Sequence, residues 1–271
     1  MRRRAGWPLV AAVIGLLATG VVIACLLLFG TATGRSALGS SDRWVRLPGG
    51  RAYVLHTSPS LGRRPGSATG RPALIVLHGY RDDAAGAERS TGFDVLGDRD
   101  GVLIAYPQGF HRSFNAGLCC GDAARDGIDD VGFLAGVVHD LRSRGVGRIS
   151  VAGFSNGAMM AYRLACERPD LVDRVGVLAG TLEIARCQGP IRALALHGSA
   201  DRTVPYQGEA YSAQLRCPLR DVRTIAAAAP GSSITLQLIP GLPHRWTMPG
   251  DRIDATRTLW EFLEMPAAGP Q

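Results

Sequence analysis

The chain has 271 residues, 46% hydrophobic and 20% charged, the composition of an ordinary globular protein long enough to bury one large core. Its formal net charge is +7 and all 30 basic residues are Arg; with Arg2, Arg3, Arg4 and Arg35 set aside, 26 Arg face 23 acidic residues from Ser36 onward, a balance of only +3. No block of five like charges occurs, so neither the charge nor its distribution supports a nucleic-acid partner.

The N-terminus opens with MRRRAG, followed by the 23 uncharged residues WPLVAAVIGLLATGVVIACLLLF (7–29). About 20 apolar residues suffice to span a bilayer, and the three Arg favour an N-inside orientation. Three readings stay open: an uncleaved signal anchor, a cleaved signal peptide, and a lipoprotein processed at Cys25 in VIAC. Each puts the rest of the chain outside the cytoplasm and leaves the N-terminal segment (1–30) as its sole membrane contact. Residues 31–43 read as a flexible tether, and 44–265 as the folded domain.

Beyond the tether, buried-strand patterns alternate with helical ones. RAYVLHT (51–57) predicts an early edge strand. ALIVLHG (73–79), VLIAYPQG (102–109), RISVAGF (148–154), RVGVLAG (174–180), IRALALHG (191–198) and SITLQLIPG (233–241) predict strands of a mostly parallel sheet. DDVGFLAGVVHDLRSRG (129–145), NGAMMAYRLACERPD (156–170) and DATRTLWEFLEM (254–265) carry helical spacing with caps. Strands separated by such helices make βαβ units, hence an α/β fold with helices on both faces of the sheet. The five Cys past the apolar segment fit an oxidising compartment; Cys166 and Cys187, flanking one predicted strand, are the best disulfide candidates, with buried free thiols as the alternative. Their spacing matches no zinc pattern, and neither a metal nor a cofactor is implied.

Gly153-Phe154-Ser155-Asn156-Gly157 matches G-x-S-x-G at a strand-to-helix junction. There the motif forms a nucleophile elbow, a strained turn that lifts the Ser hydroxyl above the sheet at the positive end of a helix. A nucleophilic Ser needs a base, and the base an orienting carboxylate, in the chain order Ser, acid, His. Asp201 follows the 191–198 strand, and His244 follows the 233–241 strand; His244 is the only His after His197. The intervals of 46 and 43 residues leave room for one strand–helix unit each. Asp251 and Asp254 become acids only if the order is broken, and Asp254 reads better as a helix cap. For the oxyanion the expected donors are the backbone N–H groups of Asn156 and of Tyr80, in the loop LHGYRDD. His78 and His197 read as structural, and Asp129-Asp130 as capping residues.

GFDVLGDRDGVLIAYPQG, NAGLCCG, DDVGFL, GFSNGAMMAYRLACERPD, HGSADRTVPY and DATRTLW together resemble the extracellular polyhydroxybutyrate depolymerase and feruloyl or acetyl-xylan esterase group of α/β-hydrolases, which includes lipoproteins of the LpqC type. The resemblance covers roughly 70–262. It implies an α/β-hydrolase fold, a serine esterase, and Ser155, Asp201 and His244 as nucleophile, acid and base. Two departures matter. PHRWTMPG carries two extra residues where the family has GHxWPG, which affects the pocket wall. The family's Cys near IAAAAPGSS is missing, which leaves Cys217 without its usual partner. No helical lid fits between Gly180 and Pro190, so an open site for short acyl, aryl or hydroxyalkanoate esters is expected, the only other partner being the membrane at the N-terminus. The competing readings are a serine peptidase of the same fold and a non-catalytic surface-binding relative.

Overall fold

The computed structural model describes residues 42–61 and 68–265. The signal or anchor segment, Cys25 and most of the tether lie outside the described residues.

Among the described residues ten strands and seven α-helices follow one another: β1 (Asp42–Arg46), β2 (Ala52–Thr57), β3 (Ala73–Leu77), α1 (Ala84–Thr91), α2 (Phe93–Asp100), β4 (Leu103–Pro107), α3 (Gly121–Arg125), α4 (Asp130–Ser143), β5 (Ile149–Phe154), α5 (Asn156–Glu167), β6 (Val175–Leu178), β7 (Arg192–Gly198), β8 (Glu209–Ser212), β9 (Cys217–Leu219), α6 (Ile225–Ala228), β10 (Ser233–Ile239) and α7 (Ala255–Phe262). Eight strands form one sheet in the order β1-β2-β4-β3-β5-β6-β7-β10. β1 and β2 pair antiparallel, as do β2 and β4, and every other neighbour is parallel. This is the α/β-hydrolase architecture.

The central strands are apolar at nearly every position because both faces are covered. On one face, Phe133, Leu134, Val137 and Leu141 of α4 and Met159, Met160 and Tyr162 of α5 pack on Ile75, Leu77 and Val151. On the other, Phe93, Leu259, Trp260 and Leu263 cover Leu74, Val76, Ile104 and Ala152. Parallel strands with this layering gather their C-terminal ends on one edge, where the loops that carry chemistry emerge.

Several expectations are corrected. The 51–57 strand is not at the edge: β1, which begins at Asp42 inside the expected tether, pairs outside it. β1 escapes notice because its five residues DRWVR alternate weakly and stay half-exposed. The stretch between Asp201 and His244 holds more than one strand and one helix: the β8–β9 hairpin comes first, the α-helix is only the four-residue α6, and β10 follows. Cys217 does have a neighbour: Cys119 Sγ lies at bonding distance from both Cys217 and Cys120. A sulfur forms one disulfide at a time, so these two pairings are alternatives, and either leaves one thiol over. Cys166 and Cys187 are joined, closing a loop with a sequence separation of 21.

Candidate active site

β5 runs apolar and buried to Phe154, and the chain then turns sharply at Ser155, whose φ of 54° and ψ of −119° lie outside the usual regions for a side-chain-bearing residue. The surroundings hold it there. Ser155 N–H donates to Leu178 O at the end of β6 (3.1 Å), and Met159 N–H donates to Ser155 O (3.0 Å), starting α5. Both motif glycines are steric necessities: a Cβ on Gly153 would meet Gly157 O at 2.4 Å, and one on Gly157 would meet Leu77 O at 2.1 Å. The two glycines thus let β3, β5 and α5 come together at one point, with Ser155 above them.

The other two site candidates arrive from the neighbouring parallel strands. Asp201 lies in the turn after β7, where Thr203 N–H (2.9 Å) and Val204 N–H (2.8 Å) both donate to its Oδ1. Its other oxygen, Oδ2, accepts from His244 Nδ1–H at 2.7 Å. His244, in the loop after β10, places Nε2 3.0 Å from Ser155 Oγ. The Asp201–His244 bond makes Nδ1 the protonated nitrogen and turns the Nε2 lone pair to the hydroxyl. The structure therefore brings Ser155, His244 and Asp201 into one continuous hydrogen-bonded chain, although 89 residues separate the first two.

The alternative acids are engaged elsewhere. Asp251 is held by Arg245 (2.8 and 2.5 Å) and by Met248 N–H (2.9 Å), and Asp254 caps α7 by accepting from Arg257 N–H. The two extra residues of PHRWTMPG are absorbed by that Asp251-centred loop. Trp246 still reaches inward: its indole N–H donates to Thr256 Oγ1 (2.9 Å) and its ring stands edge-on to Phe154. Phe154 in turn lies against the His244 ring, with centroids 4.8 Å apart.

The two other His residues near the site are structural. His78 Nδ1–H donates to Gly79 O (2.8 Å) while Gly109 N–H donates to Nε2 (2.9 Å), and burial keeps its pKa low, so it stays neutral. This clamp orients the Gly79–Tyr80 peptide. His197 is likewise held neutral by burial, with Nε2–H donating to Val204 O (2.8 Å). Asp129 caps α4 by accepting from Gly132 N–H, as expected; Asp130 instead is fully buried and joins Arg51 (2.7 Å) to Asn115 N–H (2.6 Å).

Ser155, His244, Tyr80 and Phe154 line a shallow cavity of about 170 Å³ together with Arg81, Thr203, Gln214 and Leu215. Asn156 is fully buried beneath it; its side chain accepts from Phe114 N–H (2.8 Å) and donates to Phe114 O (2.9 Å), fixing the first residue of α5. Its backbone N–H, at the helix start, has no carbonyl partner within the helix. Gln214 and Leu215 have no signal in the sequence, because the four-residue turn between β8 and β9 that carries them is too short to show a pattern. Phe154 was legible as the residue preceding Ser155 in the motif.

The family model described as Esterase PHB depolymerase matches residues 57–207. A relative in Nocardia uniformis subsp. tsuyamanensis, named "Putative esterase NocK", is 38% identical over 167 residues, covering 58% of this chain and 47% of its own. A protein of Aspergillus clavatus named "Probable feruloyl esterase C" is 36% identical over 92 residues, 31% of this chain and 33% of its own. The chain thus matches less than half the length of these curated relatives. Among solved structures, acetyl xylan esterase from Aspergillus awamori superposes with a TM-score of 0.59 at 16% identity, over 84% of this chain and all of that one.

Proposed function

Since the chain belongs to the esterase PHB depolymerase family, we propose that it is a serine carboxylic-ester hydrolase working through an acyl-enzyme, with Ser155 as nucleophile, His244 as general base and acid, and Asp201 as the carboxylate that orients His244. The observation that carries this reading is the hydrogen-bonded chain from Asp201 through His244 to Ser155, at 2.7 and 3.0 Å.

In this mechanism His244 Nε2 takes the Ser155 proton as Oγ attacks the ester carbonyl carbon. The carbonyl oxygen becomes an oxyanion and accepts from the backbone N–H groups of Tyr80 and Asn156. The tetrahedral intermediate collapses, the C–O bond to the alcohol breaks, and His244 gives the alcohol its proton. Water, deprotonated by His244, then attacks the acyl carbon and releases the acid, returning the proton to Ser155. Asp201 keeps accepting from His244 Nδ1–H throughout, itself held in place by Thr203 N–H and Val204 N–H.

The cavity supports a short reacting group. At about 170 Å³ it falls well below the roughly 300–1,000 Å³ of pockets that enclose a drug-sized ligand. A short acyl chain fits inside, while a bulky or polymeric remainder stays in solvent. The relatives' names favour acetyl, feruloyl and hydroxyalkanoate esters among such substrates. The apolar stretch at 7–29 and the Cys166–Cys187 disulfide favour action outside the cytoplasm.

The test is hydrolysis of p-nitrophenyl esters of graded length, a feruloyl ester and hydroxybutyrate oligomers by the full chain, with a fluorophosphonate probe as active-site label. Hydrolysis of short esters and labelling at Ser155, both lost in Ser155→Ala, are expected. Ester hydrolysis by folded Ser155→Ala at the wild-type rate would place the chemistry elsewhere.

A further inference from the structure

A second cluster of chemically competent side chains lies on the sheet face covered by α1, α2 and α7, and none of its members lines the cavity at Ser155. It is assembled from four elements. In the antiparallel β1–β2 register Asp42 stands directly opposite His56, so both side chains leave the sheet on the same face. Over that face α1 and α2 meet at Gly92, whose φ of 66° permits the abrupt change of direction. Glu88, on the last turn of α1, and Asp94 and Asp98, one helical turn apart on α2, are thereby turned toward His56.

His56 Nδ1 lies 2.6 Å from Asp42 Oδ1 and 3.6 Å from Asp94 Oδ2, while Nε2 lies 2.8 Å from Asp98 Oδ1. Asp94 also accepts from Tyr106 O–H at 2.6 Å. One ligand atom each from Asp42, His56, Glu88 and Asp94 fall within 4.8 Å of one another. Four carboxylates therefore surround one imidazole, and among the described residues no Arg pairs with any of the four. Glu88 is 8% exposed, and its Oε1 is buried with no hydrogen-bond partner among the described residues. Burying a carboxylate oxygen without a partner is costly, and burying several together is more so unless positive charge accompanies them.

We propose that Asp42, His56, Glu88 and Asp94 form a binding site for a divalent transition-metal cation of the zinc or manganese type. One imidazole nitrogen and three carboxylate oxygens make a four-donor set of the kind such ions accept. Calcium takes six to eight oxygens, and imidazole is foreign to its preference. The outer contact fits as well: Asp98 accepts from Nε2–H, which fixes the tautomer and leaves the Nδ1 lone pair for the cation. The cation takes the place of the proton now shared between Nδ1 and Asp42, and these two atoms separate to roughly 3.4 Å, the edge of a tetrahedron with ligands about 2.1 Å from its centre. Glu88 Oε1 gains the partner it lacks. Bound there, the ion ties the outermost strand β1 to the α1–α2 pair and takes no part in ester hydrolysis. No ligand spacing in the sequence points here, because the donors are scattered over 42, 56, 88 and 94.

The test uses the full chain, stripped with a chelator, incubated with ZnCl₂, MnCl₂ or CaCl₂ in separate arms, desalted, and measured by elemental mass spectrometry and thermal unfolding. One zinc or manganese per chain and a raised melting temperature are expected. Glu88→Gln, nearly the same shape, should lose the ion, and Asp98→Asn should weaken it about 10–100-fold. Both variants should hydrolyse esters as the wild type does, which reports that they are folded. His139→Gln, which removes a His outside the cluster, should retain the ion. Zinc held equally by wild type and Glu88→Gln, no stoichiometric retention of zinc or manganese, or retention of calcium alone would each overturn the assignment.

Discussion

Gly157→Ala is the sharpest probe of how the elbow is built. The added Cβ would lie 2.1 Å from Leu77 O, 2.5 Å from Leu77 C and 2.6 Å from His78 O, all backbone atoms at the end of β3. Ordinary contact begins near 3.4 Å, so the helix start and the strand end must separate by more than 1 Å. That movement pulls Ser155 away from the Gly79–Tyr80 peptide, one side of the proposed oxyanion site. A misplacement of about 1 Å costs on the order of 10²-fold in rate. Forcing an extra carbon into a packed site costs about 1–3 kcal/mol, and for a domain of this size each kcal/mol lowers the melting temperature by roughly 2–4 °C. The assay is kcat/KM for a short p-nitrophenyl ester together with thermal unfolding. Gly127→Ala is the control: its φ of +63° imposes backbone strain, but nothing lies within 4 Å. It should cost about 1–2 kcal/mol in stability and nothing in kcat/KM. A Gly157→Ala protein within twofold of wild type in kcat/KM and with an unchanged melting temperature would refute the account of the elbow.

The same glycine shows what was legible in the sequence and why. G-x-S-x-G carries its geometry locally, since small residues at 153 and 157 and a strand before them suffice to imply the turn. Asp201 and His244 were legible because parallel strands end on one edge, so residues just past β7 and β10 share that edge with Ser155 whatever the chain does between them. What was hidden depends on contacts between distant segments. β1 is recognisable only by its pairing with β2. Gln214 and Leu215 reach the cavity only because the β8–β9 hairpin folds over it. Cys119 Sγ comes within bonding distance of Cys217 across 98 residues, and a missing partner in the 225–233 region gives no hint of that neighbour. His56 reads from the sequence as one polar position in an apolar strand; its four carboxylates come from three other elements.

Two further outcomes follow from the site and its surroundings. Asp201→Asn should fold and lose on the order of 10⁴ in kcat, the scale seen when a triad carboxylate is neutralised; Asp251→Asn, which disturbs only an exposed loop, should stay within a few-fold, and equal losses would mean that the acid has been misassigned. Glu183 supplies a pH signature separate from catalysis. It is buried between the strand-β6 loop and β9; Arg220 N–H donates to its Oε1 (3.0 Å), while Oε2 has no partner among the described residues. Burial raises its pKa from 4.5 to about 7, against the opposing pull of the Arg220 N–H and charge. The folded chain therefore holds a proton that the unfolded chain releases near pH 4.5, so the contribution is fully present below that pH and is lost as pH rises toward 7. At about 1.4 kcal/mol per unit the loss reaches about 3 kcal/mol. Glu183→Gln keeps an oxygen for Arg220 N–H and cannot ionise, so denaturant titrations should show its stability relative to wild type rising between pH 4.5 and 7 and level above. The cost of an amide at this position is the same at every pH, so only the slope reports ionisation. A difference between the two proteins that stays constant across that range would show that Glu183 does not carry the buried proton.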